Sequence, residues 1–238
     1  TATTRLSNTC AISDKVPRVT GTQEAVEKAG RASEMDYQIA KMGEELKRDI
    51  ESAALSNNAE ATGDSTTARE PGTIGAWIDT NTSNGASGSD GSVGNTARTD
   101  GTQRAFTEAL LQGVLQDVWT SGGDPDCIMV GAFNKRQLST FTGNATRYVE
   151  AEHAALHSAI DVYISDWGEL QVVPNRFSRA RDCLILQKDM WAIAYLRPFS
   201  IKDLSKTGDS ERKQLLAEWT LESRNEAASG SVWDLATS

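Results

Sequence analysis

The chain has 238 residues, 38% hydrophobic and 24% charged, a balance that fits a folded protein with a sizeable core. No apolar run approaches the ~20 residues that cross a bilayer, and a net charge of −9 with a pI near 4.8 speaks against a nucleic-acid-binding module. Cys10, Cys127 and Cys183 are far apart and form no CxxC pair, which points to free thiols in a reducing compartment and away from a disulfide framework or zinc knuckle. The start "TATTRLSNTC" is no signal peptide and lacks Met, so a segment upstream is expected to have been cleaved or cut away.

In chain order, "CAISDKVPRV" is β-like. Residues 21–57 then carry apolar side chains at Val26, Ala29, Ala32, Met35, Ile39, Met42, Leu46, Ile50 and Ala53, in gaps of three and four that mark one stripe of a helix. Thr20 caps it, with Gln23 three residues on. Running unbroken over 23–56 it would span about 50 Å at ~1.5 Å per residue, against a radius of gyration of only about 18 Å for a compact chain of this size. Such a helix is a strut.

Residues 57–98 are rich in Gly, Ser, Thr and Asn, with "IGAWI" (74–78) as the one apolar island, a strand or an anchor. The rest is expected to be exposed loop, with 85–95 as a flexible stretch. From Thr102 a second amphipathic helix has Phe106, Leu110, Leu111, Val114, Leu115, Val118 and Trp119 along one side, stopped by "SGGDP". "CIMV" is a buried strand, and "AFNKRQLSTFTG" a short helix ended by Gly143. A hairpin points Ile160, Val162 and Ile164 inward, turns around Asp166 and Gly168, and returns through Leu170 and Val172. "CLILQ" and "WAIAYL" are short strands. A long strand over 214–224 has Leu215, Ala217, Trp219 and Leu221 on one face, with Glu218, Thr220 and Glu222 opposite. Helices and antiparallel strands mixed this way give an α+β fold. The phrase GTQ at Gly21 and Gly101 is repeated helix-opening chemistry, with no wider duplication.

Chemistry is sparse. His153 and His157 share a helical spacing, but Ala154 stands where a zinc motif wants Glu. "GASGSDGSVGN" has glycines enough for a phosphate cradle and lacks the Lys-Ser/Thr that completes one. Asp79, Asn81, Ser83 and Asp90 echo a calcium loop, but Asn84 occupies the position of the turn glycine. Asn81 and Asn144 fit the glycosylation pattern, which has meaning only on secretion. Glu44, Lys47, Arg48 and Glu51 are spaced for ordinary pairs on a helix surface. Arg176, Arg179 and Arg181 in "NRFSRARD" leave three readings open: an anion site, a bend salt-bridged within the protein, or a contact between copies. No GxSxG frames a serine, so the expectation is no catalytic residue, no cofactor and no metal.

The segments "PNRF", "WAIAYLRPF", "LSKTGD" and "TLESRNEAASG" resemble the major capsid proteins of tailed bacteriophages, in the SU10-like capsid family. "GTQEAVEKAGR", "RTDGTQRAFTEALL" and "MVGAFNKRQLSTFTG" extend the resemblance over nearly the whole chain. It implies the Hong Kong 97-type fold: a peripheral domain over 1–98 with a spine helix at 23–56 and a loop at 57–98, an axial domain over 99–198, and a return to the peripheral domain over 199–238 with its long strand at 214–224. It also implies a structural protein with no enzymatic activity. Such a protein assembles with itself into pentamers and hexamers of an icosahedral head, inside the bacterial cytoplasm. Its further partners would be a portal, with scaffolding or decoration proteins, and it would enclose double-stranded DNA without reading its sequence. An acidic inner wall would let that DNA slide. Family members carry an N-terminal arm and an extended loop ahead of the part that starts here at "TTRLSN", and no cross-linking Lys and Asn can be matched. The alternatives are an encapsulin-like compartment and, from another class, a cytosolic α+β enzyme or ligand-binding protein using the His pair or the arginine bend.

Overall fold

The computed structural model describes residues 6–141 and 162–238. The expectations for Ile160, Gly143, Asn144, His153 and His157 lie outside the described residues. Strands β1 (Ala11–Lys15) and β2 (Arg18–Thr20) are separated at Pro17, which has no N–H to give to a ladder. Both pair antiparallel with β9 (Ser210–Ser223), and β9 pairs on its other side with β8 (Trp191–Asp203). Across one face of this four-stranded sheet lies α2 (Glu34–Ala54), whose Leu46, Ile50 and Ala54 pack on Ala11, Leu215, Ala217 and Trp219. Lys15 reaches Asp49 at 2.6 Å and ties sheet to helix at the surface.

The single helix expected over 23–56 is two. Helix α1 (Gly21–Ala25) stops as Val26 leaves extended at ψ 135°, and Gly30 then takes φ +77°, a left-handed conformation that only glycine adopts freely. Ser33 restarts the helix, its Oγ accepting the Asp36 N–H at 3.2 Å. Thr20 caps α1 as expected, accepting from Gln23 N at 3.4 Å. Glu24 seals the joint by accepting from both Lys28 Nζ and Glu34 N at 3.1 Å. The apolar stripe is buried only from Met35 onward, while Val26 is exposed. At 21 residues, α2 is about 32 Å long.

The second sheet has six strands in the order β3 (Thr82–Ser83), β10 (Gly230–Val232), β7 (Cys183–Leu186), β4 (Cys127–Val130), β6 (Gly168–Pro174) and β5 (Val162–Ser165). The central pair β4 and β7 is covered on both faces, which is why "CIMV" and "CLIL" are unbroken apolar runs. Helix α4 (Glu108–Thr120) lays Leu111, Val114, Leu115 and Val118 on that sheet, and α5 (Ala132–Leu138) adds Leu138. Cys127 and Cys183 sit in these layers as small apolar groups, and all three cysteines are free thiols.

Four expectations are corrected here. Helix α4 starts at Glu108 and not near Thr102: Phe106 precedes it and meets Phe141 edge-on, with ring centres 5.1 Å apart. Trp119, expected inside, is 60% exposed at the helix end. In the hairpin the phase of β5 is inverted. Tyr163 stands directly opposite Leu170 and shares its inward face, so Val162 is turned outward. Tyr163 can be buried because its hydroxyl donates to Glu108 at 3.2 Å. On β9, Glu218 is buried on the face expected to be wet, between Arg69 (2.8 Å) and Arg197 (2.6 Å).

The glycine-rich segment is no free loop. "IGAW" forms a buried turn of helix, α3 (Ile74–Trp77), and the chain after it folds back over Trp77. Gly94, at φ +80°, lies so close that a Cβ there would meet the Trp77 ring at 2.7 Å. Bridges Ser89–Thr99 and Ser92–Thr96 hold the segment upon itself. The sheets also cross the expected boundaries: β3 comes from 57–98 and β10 from 199–238, yet both belong to the six-stranded sheet, while β8 begins at Trp191 and belongs to the other.

Candidate functional site

Of the residues that echo a calcium loop, Asn81, Ser83 and Asp90 have internal partners. Asn81 Nδ2 donates to the carbonyls of Ala227 (2.7 Å) and Ser229 (3.2 Å), and its Oδ1 accepts the Ser121 hydroxyl at 2.9 Å. Ser83 accepts from Arg104 through both carbonyl (2.6 Å) and hydroxyl (2.8 Å), and Asp90 from Asn84 at 2.8 Å. Among the described residues no three acidic, His or Cys side chains gather as a cation would require.

The glycine-rich segment does cradle an anion, and the anion is Asp234. The amides of Gly85 (3.0 Å) and Gly101 (2.9 Å) each donate to one of its carboxylate oxygens. Arg98 Nη2 and Arg181 Nη2 add one hydrogen bond each at 2.8 Å. Burial alone would push the Asp234 carboxyl up, but these two amides and the Arg98 guanidinium outweigh it and hold it below its usual range. Arg98 and Asp234 are both wholly buried, and Arg98 stacks over Trp233 at 4.7 Å.

Around this pair the arginine bend closes a clasp. Arg179 and Arg98 each hydrogen-bond a different oxygen of Asp100, Arg181 lies 3.3 Å from it, and Arg181 Nη2 also donates to the Gly101 carbonyl at 2.6 Å. Of the three readings for the bend, Arg179 and Arg181 follow the internal one, while Arg176 is exposed. Asp182 completes the group. Its carboxylate is buried, Arg179 Nη1 stands 3.3 Å from one oxygen, and the other oxygen has no partner among the described residues. Burial pushes its carboxyl up to about 6 against the pull of Arg179 and Arg98.

A second feature is the β8 side of the four-stranded sheet. Among the described residues β8 pairs only with β9, so its other edge is open. Two register shifts, between Tyr195 and Arg197 and between Arg197 and Ser200, leave Leu196, Pro198 and Phe199 without paired residues. The bulges turn Leu196 outward to 66% exposure. Tyr195, leaning on Phe199 with ring centres 5.6 Å apart, and Ile201 are about half exposed. Beside them lies an open apolar groove of about 380 Å³, lined by Ile50 and Ala54 of α2, Trp191, Ile193 and Tyr195 of β8, and Leu221. The bulges left no mark in the sequence that periodicity could read.

A model of the SU10 major capsid protein family matches residues 1–236. The major capsid protein of Escherichia phage Phieco32 is 24% identical in an alignment 268 positions long, gaps included, that covers 97% of this chain and 76% of that protein. Among solved structures, the capsid asymmetric unit of cyanophage A-1(L) is similar with a TM-score of 0.66 at 15% identity, covering 96% of this chain and 78% of that one. The procapsid of satellite phage P4 gives 0.61 at 13% identity, covering 99% and 75%. The SrpI encapsulin complex from Synechococcus elongatus gives 0.58 at 9% identity, covering 96% and 75%.

Proposed function

Since the chain belongs to the SU10 major capsid protein family and has the Hong Kong 97-type fold of phage shells, we propose that it builds the pentamers and hexamers of an icosahedral phage head around double-stranded DNA. It is a structural capsid protein that assembles with copies of itself, and its place is the virion capsid. The observation that carries this is the family match across residues 1–236. The likeness to an encapsulin, at 9% identity, speaks for the fold alone.

The finer reading follows from what such a shell needs. It needs surfaces that close under symmetry and no catalytic group. The arginine bend that an enzyme or ligand-binding reading would have used is occupied by Asp100 and Asp234. The four-stranded sheet with α2 is the peripheral unit and the six-stranded sheet with α4 and α5 the axial one. Partners beyond the chain itself are a portal and scaffolding or decoration proteins. The DNA is enclosed without sequence-specific contact, in keeping with the net charge of −9.

The bulged margin of β8 is the contact this reading assigns to a second copy. Tyr195, Leu196 and Ile201 are exposed apolar side chains along an edge that is open among the described residues, and Pro198 with the two bulges prevents plain strand-to-strand addition there. Contact must then be made by side chains, as at an interface hot spot. Leu196→Asp adds a charge at a 66% exposed position, so the subunit should fold unchanged. Mass photometry should find large particles for the wild type and a loss of at least tenfold in assembled mass for the variant. Full assembly of Leu196→Asp would remove β8 from the interface while leaving the family reading intact.

A further inference from the structure

Within the clasp, three guanidinium groups (Arg98, Arg179, Arg181) face three carboxylates (Asp100, Asp182, Asp234) drawn from three separate parts of the chain. Two of the carboxylates are well served. Asp234 has two backbone amides and two arginines, and Asp100 is contacted by all three arginines. Asp182 is not. Its side chain is 4% exposed, one oxygen has no hydrogen bond among the described residues, and the other faces Arg179 Nη1 at 3.3 Å in a contact that is not aligned as a hydrogen bond. Arg179 is therefore divided between two carboxylates and engages only Asp100 fully. A buried carboxylate oxygen without a donor lacks just what a proton would supply.

We infer that Asp182 is a proton-operated setting in this clasp: ionised, it shares Arg179 with Asp100, and protonated, it leaves Arg179 to Asp100 alone and tightens the hold of the bend on residues 98–101. Charged groups face it from several sides, the three arginines favouring the ionised form and Asp100 the protonated one. Residues 98–101 bring Arg98 and Asp100, the bend brings Arg179 and Arg181, Asp234 pairs with Arg98 and Arg181, and the buried Cys183 thiol adjoins it. From α5, the neutral Asn134 holds the bend by donating to the Ala180 carbonyl at 2.8 Å. The proton affinity agrees with the geometry. With its carboxyl pushed up to about 6, the folded protein binds this proton about a hundredfold more tightly than an exposed aspartate of ordinary pKa ~3.9 does.

The sign is the reverse of the usual carboxylate. A raised folded value means the folded state takes up the proton first, so stability increases as pH falls through about 6 and levels off near the ordinary carboxylate value. Asp182→Asn is neutral at every pH and keeps the shape. Its melting temperature should exceed the wild type's at pH 7.5, and the gap should shrink to about half by pH 5 and close near the ordinary carboxylate value of ~3.9. Hydrogen–deuterium exchange of peptides spanning 98–104, compared between the two proteins at the same pH, should show faster exchange in the wild type at pH 7.5 and equal exchange at pH 5. A gap that is the same at both pH values, or a variant less stable at pH 7.5, overturns the inference. Should Asp182→Asn fail to fold, titration of the ¹³C-labelled Asp182 carboxyl in the wild type decides instead. A midpoint near 6 supports the setting, and one near 4 ends it.

Discussion

Asp234 shows what single residues do in this molecule. Its carboxylate satisfies two glycine amides and two arginines at once, so Asp234→Ala would leave the wholly buried Arg98 with the part-exposed Asp100 as its one counter-charge among the described residues. Breaking a buried ion pair from one side costs roughly 3–5 kcal/mol, and we expect a loss of that order in urea unfolding. With its carboxyl held below the usual range, Asp234 contributes stability that is complete above the ordinary carboxylate pKa and lost as pH falls below it. The two clasp carboxylates therefore act in adjoining windows, Asp182 stabilising on acidification through about 6 and Asp234 failing only at stronger acid. Little of this was legible. The glycines of 85–95 read as a flexible loop lacking what completes a phosphate cradle, and Gly101 as a helix opener, because the anion that Gly85 meets stands 149 positions away, beyond any local pattern. The three readings of the arginine bend could not be separated for the same reason, since Asp100 lies about eighty positions from the arginines it binds.

At the scale of elements, periodicity found the helices and strands and missed their ends. The stripe from Met35 to Ala54 is the buried face of α2. Its apparent continuation through Val26, Ala29 and Ala32 is exposed, because three-and-four spacing alone cannot tell an amphipathic face from small residues in a linker. The signals for the break were present: a glycine at 30, then Ser33 with an acidic Asp36 three residues on. Ser33→Ala removes the cap that restarts α2 and should cost about 1 kcal/mol in thermal or chemical unfolding. Unaltered stability would mean that Glu24, which accepts the Glu34 amide, holds the joint by itself. The inverted phase of β5 has another origin. Tyr163 looks like an outward residue by polarity, and only pairing with Leu170 and the hydroxyl contact to Glu108 turn it in. Bulges in β8 are a matter of register between two strands, which one strand's sequence does not encode.

For the whole molecule, two sheets are interlocked by the chain. The C-terminal residues leave β9, enter the six-stranded sheet as β10, and deliver Trp233 and Asp234 to the place where the glycine-rich strap closes. Long α2 lies along the four-stranded sheet, so the strut expected from the sequence is there, shorter than 23–56 and braced along its length. What a head subunit requires of this arrangement is a stiff body with a contact margin left open, and the β8 margin is open. Electron microscopy of the chain expressed in bacteria, alone and together with candidate portal and scaffolding proteins, tests the central claim most directly. Closed shells or five- and six-membered rings are the predicted result. A chain that stays a 25.7 kDa monomer under every salt, concentration and partner condition would contradict it.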